Sequence, residues 1–284
     1  MSKAKPGAAA PSGAPAQATP DAGPSTLYKA HLRRVKLTRW SVRGTQALLL
    51  ILFLLIWEIA PRAHWVNPML TSYPSAIWPT FIDMLQNGDL LHHTAVTVME
   101  TVVGFVAGMV LGIAVAVALW WWEFVYRVLD PYLVVANAMP KIALVPIFYI
   151  WLGDVTSIYG IAIAIGVFIT ILMVFAGFKE VDANKIKLVL TFGATRWQVL
   201  RKVVLPGSVP TMIATLKINV GLALVGVIVG EFQSSKAGLG YLIVYGSQIF
   251  QMHLVMTAIA ILAVISTIMY LGIYYVEAVI MRQR

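Results

Sequence analysis

Six apolar runs, at about 45–61, 95–121, 129–152, 155–178, 211–231 and 253–277, alternate along the chain with shorter polar stretches. A helix needs roughly 17–25 apolar residues to cross a bilayer core of about 30 Å. In lipid the backbone must satisfy its own hydrogen bonds, so runs of this length are read as helices. The pattern predicts an all-α polytopic membrane protein with about six transmembrane helices. The first run is the shortest, and a cleaved signal peptide is its competing reading. The long region before it, and Pro61-Arg62 where small residues should stand, argue against cleavage. The second run carries Gly104, Gly108 and Gly112 at intervals of four, a spacing that lets another helix approach closely. It ends on Trp120, Trp121 and Trp122, which read as an interfacial aromatic belt. The third run holds Pro131, Pro140 and Pro146, so it predicts a kinked span that lines protein or a cavity.

The polar stretches are unlike one another. Residues 1–44 form a basic tail; 1–26 are mostly Ala, Pro, Gly, Ser and Thr, too little apolar surface to offset ordering, and predict disorder. Positions 28–43 carry Lys29, Arg33, Arg34, Lys36, Arg39 and Arg43 and predict a short interfacial helix with Trp40 near the headgroups. The transmembrane domain is 45–284. Residues 62–93 contain Pro68, Pro74, Pro79 and an amphipathic stretch at 77–85, and 232–252 contain Gly238, Gly240 and Gly246. The loop 179–210 is the most structured. A helical pattern through Ile186 and Leu190 ends at Gly193 as C-cap, and Thr195 then serves as N-cap of a second helix. Leu205-Pro206 stops that helix and Pro210 opens the next span. The loop is a compact knob of two short helices.

Composition agrees: 60% of residues are hydrophobic and 12% charged, against roughly 25% charged in soluble domains. The formal charge of +9 is distributed beside the apolar runs rather than on a nucleic-acid module. With the N-terminus inside, inner segments hold the eight Lys and Arg of 1–44, Arg127, the six of the knob, Arg282 and Arg284; outer segments hold only Arg62 and Lys236. That bias predicts cytoplasmic termini and a cytoplasmic knob. No cysteine is present, so disulfides and thiolate chemistry are excluded. No G-x-x-x-x-G-K-[ST] run, nucleophile motif or metal-ligand spacing occurs. Adjacent His92 and His93 read as solvated. Catalytic residues, metals and cofactors are therefore not expected on this chain. Charges inside a span are costly, about 2.5–3.5 kcal/mol on insertion scales, which singles out Glu100, Lys141 and Lys217, with Asn137 and Asn219 as neutral companions. They pair, snorkel or contact a solute; a Glu100–lysine ion pair is one resolution. Lys141 and Lys217 suit an anion. Glu231, at the outer end of the fifth run, is a candidate for an outer gate or docking face.

The knob resembles the coupling loop of permease subunits in binding-protein-dependent ABC importers, whose pattern is E-A-A, three residues, G, nine residues, I, one residue, L-P. Gly193, Val203, Leu205 and Pro206 fall at those spacings, while Lys187, Leu188 and Val189 replace E-A-A. The likeness extends over about 65–280 and is nearest the nitrate/sulfonate/taurine branch. It is carried by Tyr73-Pro74-Ser75, Gly88-Asp89-Leu90, Asp130-Pro131, Met139-Pro140-Lys141-Ile142-Ala143-Leu144-Val145-Pro146, Trp151-Leu152-Gly153, Leu216-Lys217-Ile218, Gly230-Glu231-Phe232 and Gly238-Leu239-Gly240-Tyr241-Leu242. The family usually has arginine where Glu100 stands. The resemblance implies a bacterial inner-membrane permease, paired with a second copy as a homodimer, driven by two cytoplasmic ATP-binding subunits and fed by an extracytoplasmic solute-binding protein. It implies that Lys187, Leu190, Gly193, Ala194, Thr195, Trp197, Val199, Val203, Leu205 and Pro206 couple to the ATPase, and that the solute is a sulfonate, taurine or nitrate. A thiamine or riboflavin precursor or an aromatic carboxylate is the alternative solute. A secondary transporter is a rival from another class; it needs intramembrane carboxylates and repeat symmetry, whereas Glu100 is the only carboxylate well inside a run besides Glu58 near an end, and no repeat is visible. A non-transporting scaffold leaves the knob and the broken third run without explanation.

Overall fold

The computed structural model describes residues 26–67, 70–234 and 236–282; within them the regular elements are all helices, joined by short turns, without strands. The chain divides into two compact units, Met1–Ile56 and Trp57–Arg284. The boundary falls within α1 (Thr26–Arg62), one helix of 37 residues, about 55 Å at 1.5 Å per residue. The tail is thus helical from Thr26 and passes Gly44 without a break, joining the expected interfacial helix and first span. The reason is local: from Leu27 to Trp57 no proline interrupts the run. The disorder expected for 1–25, like the structural reading of Pro68, lies outside the described residues.

The second unit contains α2 (Pro74–Gln86), α3 (Asp89–Trp121), α4 (Glu123–Ala138), a 3₁₀ turn (Lys141–Leu144), α5 (Val145–Leu152), α6 (Asp154–Lys179), α7 (Ala183–Thr191), α8 (Arg196–Val199), α9 (Leu205–Ser234), α10 (Leu239–Gln248) and α11 (Met252–Arg282). Small residues set the helix directions. A Cβ on Gly104 would lie 2.7 Å from Ala162 Cβ and one on Gly112 2.4 Å from Thr170 Cβ, so α3 and α6 run parallel in close contact. A Cβ on Gly226 would meet Ala162 Cα at 2.8 Å and one on Gly177 would meet Thr211 Cβ at 2.8 Å, so α9 runs antiparallel to α6.

Because α3 and α6 are parallel, the chain between them must cross back. It does so through α4 and Lys141–Leu152, which are bent by 85° at Met139-Pro140. The third run is therefore a span broken at its prolines, as expected. Pro140 has no N–H to donate, and Met139 before it is extended, as a residue preceding proline prefers. With this pair, the described chain has up to six segments long and apolar enough to span a membrane.

Hydrophobic clusters close the two ends of this bundle. One joins Leu119, Val174 and Phe178 to Val199, Leu200 and Val204, under the knob. The other joins Met84, Leu90, Leu224, Leu239, Leu242 and Leu262 at the opposite face. The expected stop at Leu205-Pro206 is absent: α8 continues through a π turn at Leu200–Val204 into α9, with Leu205 N–H bonded to Leu200 O. The wide turn makes room for the Pro206 ring, and Pro210 lies inside α9 instead of opening it.

Candidate functional site

The knob is built by local rules. Gly193 has φ +81°, its N–H bonds Leu190 O at 2.9 Å, and Ala194 N–H bonds Val189 O at 3.3 Å. This pair of bonds is a Schellman ending of α7, which a glycine adopts without Cβ strain. Two residues on, Thr195 Oγ1 accepts from Gln198 N–H at 3.3 Å while Gln198 Oε1 accepts from Thr195 N–H at 2.8 Å. This reciprocal box opens α8. The signal, Thr followed three residues later by Gln, is readable in sequence, although only Thr195 is singled out there.

The underside of the knob is anchored. Val199, Leu200 and Val204 are buried, each such side chain worth about 1.5–3 kcal/mol. Arg196 lies 5.7 Å over the rings of Trp120 and Trp121, and Lys179 lies 4.0 Å over Tyr126. The tryptophans at the end of α3 thus seat the knob as well as marking an interface. At 2% exposed, Val199 is unavailable to a partner, which corrects its expected place among the contacts. Val203, Leu205, Pro206 and Ala194 are half-buried and support the turn; Lys187 and Thr195 are exposed. The upper surface is apolar where a solvated loop would be polar: Phe192 is 81% exposed, Leu188 57%, Trp197 55% and Leu190 49%. Phe192 and Leu188 are absent from the expected contact set, yet they extend its apolar surface.

The intramembrane polar residues separate into three settings. Lys217 is ion-paired to Glu277 of α11 and lies 5.7 Å over Tyr274, so its charge is compensated. Glu277 stands at the end of the sixth apolar run, five residues before the end of α11. Asn219 is buried in helix packing: its side-chain N–H donates to Thr170 Oγ1 at 2.8 Å and to Met109 Sδ at 3.4 Å, linking α9 to α6 and α3. Lys141 sits at the break of the bent span. Its Nζ donates to the backbone O of Asn137 at 2.8 Å and lies 5.5 Å over Phe168. No carboxylate is within ion-pair distance of Lys141 among the described residues.

Glu100 and Glu231 meet each other, not a lysine. Their carboxyls lie side by side in the packing of α3 against α9, and Glu100 Oε2 is buried without a hydrogen-bond partner among the described residues. Glu231 is 1% exposed and takes a hydrogen bond from Thr97 Oγ1 at 2.7 Å and others from the backbone N–H of Gly240 and Tyr241. These amides open α10, so the carboxylate caps a helix N-terminus. The backbone closes over it: a Cβ on Gly240 would lie 2.7 Å from Glu231 Oε2, and one on Gly238 2.4 Å from Glu231 Cδ. Thr97 Oγ1 also accepts Leu239 N–H at 2.8 Å, and His93 Nδ1 accepts Gly238 N–H at 3.0 Å. His93 is therefore half-buried in this assembly instead of solvated. Buried to this degree, Glu231 has no surface to offer a docking partner.

Comparison with known proteins places this geometry. Residues 108–282 match the family of binding-protein-dependent transport system inner membrane components. The chain is similar to the putative aliphatic sulfonates transport permease protein SsuC of Bacillus subtilis (strain 168), 29% identical over 216 residues, 74% of this chain and 76% of that protein. It is also similar to the formylaminopyrimidine transport permease protein ThiX of Halalkalibacterium halodurans, 31% identical over 195 residues, 68% of this chain and 77% of that protein. Among solved structures, a chain of the MetNI methionine ABC transporter in an inward-facing conformation superposes with a TM-score of 0.57 at 19% identity, covering 64% of this chain and 91% of that one. At that identity the likeness is one of fold.

Proposed function

The chain belongs to the binding-protein-dependent transport system inner membrane components, the permeases of ABC importers, and we propose that it admits a small organic anion of the sulfonate kind. In this reading two copies line the path, two cytoplasmic ATP-binding subunits each receive one knob, and an extracytoplasmic binding protein delivers the solute. The chain's own part is mechanical and electrostatic. The knob's exposed Leu188, Leu190, Phe192 and Trp197 enter a groove of the ATPase, and the anchored underside carries the resulting push into α3, α6 and α9. The observation that carries the reading is this contrast of an apolar upper surface with a base buried in the bundle. The bias of Lys and Arg toward the knob's side supports its cytoplasmic placement.

The anion preference is supported by Lys141. Glu277 neutralises Lys217, which removes one of the two cations suited to an anion, whereas Lys141, at the break of a span, has no carboxylate within ion-pair distance among the described residues. Unwound backbone in a membrane is tolerated where it faces protein or a cavity, and such breaks are where transporters hold polar solutes. The likeness to ThiX supports a pyrimidine precursor as a second reading of the solute.

The test is co-purification with the candidate ATPase, followed by ATPase and uptake assays in proteoliposomes with the cognate binding protein. Stable association, solute-stimulated hydrolysis and loss of both on replacing Phe192 and Trp197 by Ser are expected. Uptake of a sulfonate but not a formylaminopyrimidine, reduced by Lys141→Met with ATPase association intact, supports the anion reading. Transport by this chain alone under an ion gradient refutes the importer reading.

A further inference from the structure

The basic face of α1 has no part in the coupling just described. Between Asp21 and Glu58 the chain has no acidic residue, while Lys29, Arg33, Arg34, Lys36, Arg39 and Arg43 all fall there. Because α1 is helical from Thr26, their register is set. The spacing of Lys36, Trp40 and Arg43, four and then three, gathers them on a stripe about 60° wide, with Arg39 beside it and Arg34 on the far side of the helix. A scatter of cations suffices to orient a span; a one-sided stripe around a tryptophan has the form of a surface that recognises something.

The helix geometry selects which cations matter. If the hydrocarbon begins near Thr45, a rise of 1.5 Å per residue puts Arg43 about 3 Å, Arg39 about 9 Å and Lys36 about 14 Å beyond it. The headgroup layer is about 5–7 Å thick, and a further Debye length at physiological salt is about 8 Å. Arg43, Arg39 and Lys36 therefore lie within reach of headgroup charge, and their stems can bend toward it. We propose that this end of α1 binds the phosphate headgroups of anionic phospholipids, with Lys36, Arg39 and Arg43 as the contacts and Trp40 seated among the headgroups beside them. The occupant is lipid because the stripe is continuous with a segment long and apolar enough to span the membrane, and so stands where headgroups are.

Each cation near an anionic surface is worth about fivefold in affinity, so the three together are worth about 100-fold. The absence of cysteine allows a single reporter: Thr38→Cys stands on the side of α1 opposite the stripe and takes an environment-sensitive fluorophore. Short-chain phosphatidylglycerol is titrated into the labelled full-length chain in neutral detergent. A saturable response is expected, weakened about 100-fold in the triple variant Lys36→Gln, Arg39→Gln, Arg43→Gln. It is retained in Arg39→Lys, Arg43→Lys, which keeps the charge, and absent with phosphatidylcholine. Equal responses to the two lipids, or a triple variant that titrates like its parent, overturn the proposal. So does a response to inorganic phosphate at matched ionic strength, which assigns the stripe to a free anion. A response only on adding the ATPase subunit overturns it in favour of a protein contact.

Discussion

Replacing Glu231 by Ala removes the acceptor that closes the start of α10. The backbone N–H groups of Gly240 and Tyr241 point at this carboxylate and lose their partner in a site shut off from bulk solvent, Glu231 being 1% exposed. A buried donor left unsatisfied costs about 1–3 kcal/mol, so the two amides together put about 2–6 kcal/mol on the first turn of α10. At about 1.4 kcal/mol per decade, amide exchange at 240–241 should accelerate by roughly one to four orders of magnitude in Glu231→Ala. Glu231→Gln keeps one acceptor oxygen and should lie between parent and Ala. Hydrogen exchange of the full chain in detergent reads the local effect, and the ordering of melting temperatures reads the global one. If Glu231→Ala lowers the melting temperature while the 240–241 amides exchange at the parent rate, the cap is not what Glu231 supplies. If neither changes, the buried carboxylate is dispensable to the fold.

Three further outcomes follow from the same kind of accounting. Gly193→Ala forces a side chain into φ +81°, a cost of about 1–2 kcal/mol, and should lower ATPase stimulation more than it lowers melting temperature, with Gly193→Asn milder; equal losses in both would place the effect in folding. Gly112→Val puts a Cβ 2.4 Å from Thr170 Cβ and should destabilise by about 1–3 kcal/mol, seen as a lower melting temperature, while Gly44→Val, with nothing within 4 Å, should change little. Lys217→Met leaves Glu277 uncompensated between α9 and α11 and should destabilise more than Lys217→Met combined with Glu277→Gln; an additive double-mutant cycle would show that the pair does not interact.

Much of this was legible in sequence because it rests on short-range rules. Apolar length predicts the spans, Gly104, Gly108 and Gly112 predict the close approach to a neighbouring helix, and Gly193 with Thr195 predicts the turn of the knob. What escaped depends on contacts far apart in the chain. The partner of Lys217 is 60 positions away, and Glu231 meets Glu100 and Thr97 more than 130 positions away. Glu100 shows how a local rule misleads: a carboxylate inside a span suggests a cation as partner, and the fold supplies a second carboxyl instead. Val199 escaped for another reason, since helical periodicity on a four-residue helix cannot say which face meets the bundle.

The failure of Pro206 to end the knob bears most on mechanism. A stop there would leave the knob hinged, free to move without moving the span after it. Instead Arg196–Gln233 is a single apolar helical segment of 38 residues, about 57 Å at 1.5 Å per residue, with the π turn taking up the proline. Its knob end carries the exposed Trp197, and its far end carries Glu231, which holds the first turn of α10 by hydrogen bonds. A tilt imposed at the knob therefore has no joint in which to dissipate before it reaches α10. The prediction is that nucleotide binding by the ATPase changes the spin–spin distance between single labels at Gln198→Cys and Ser247→Cys, both exposed, less than it changes the distance between the Ser247→Cys sites of two copies, because each rod moves as one body. The cysteine-free chain makes both measurements direct. Should the distance within one copy change more, the π turn is a hinge, and the wide hydrogen bond from Leu205 to Leu200 is where it bends.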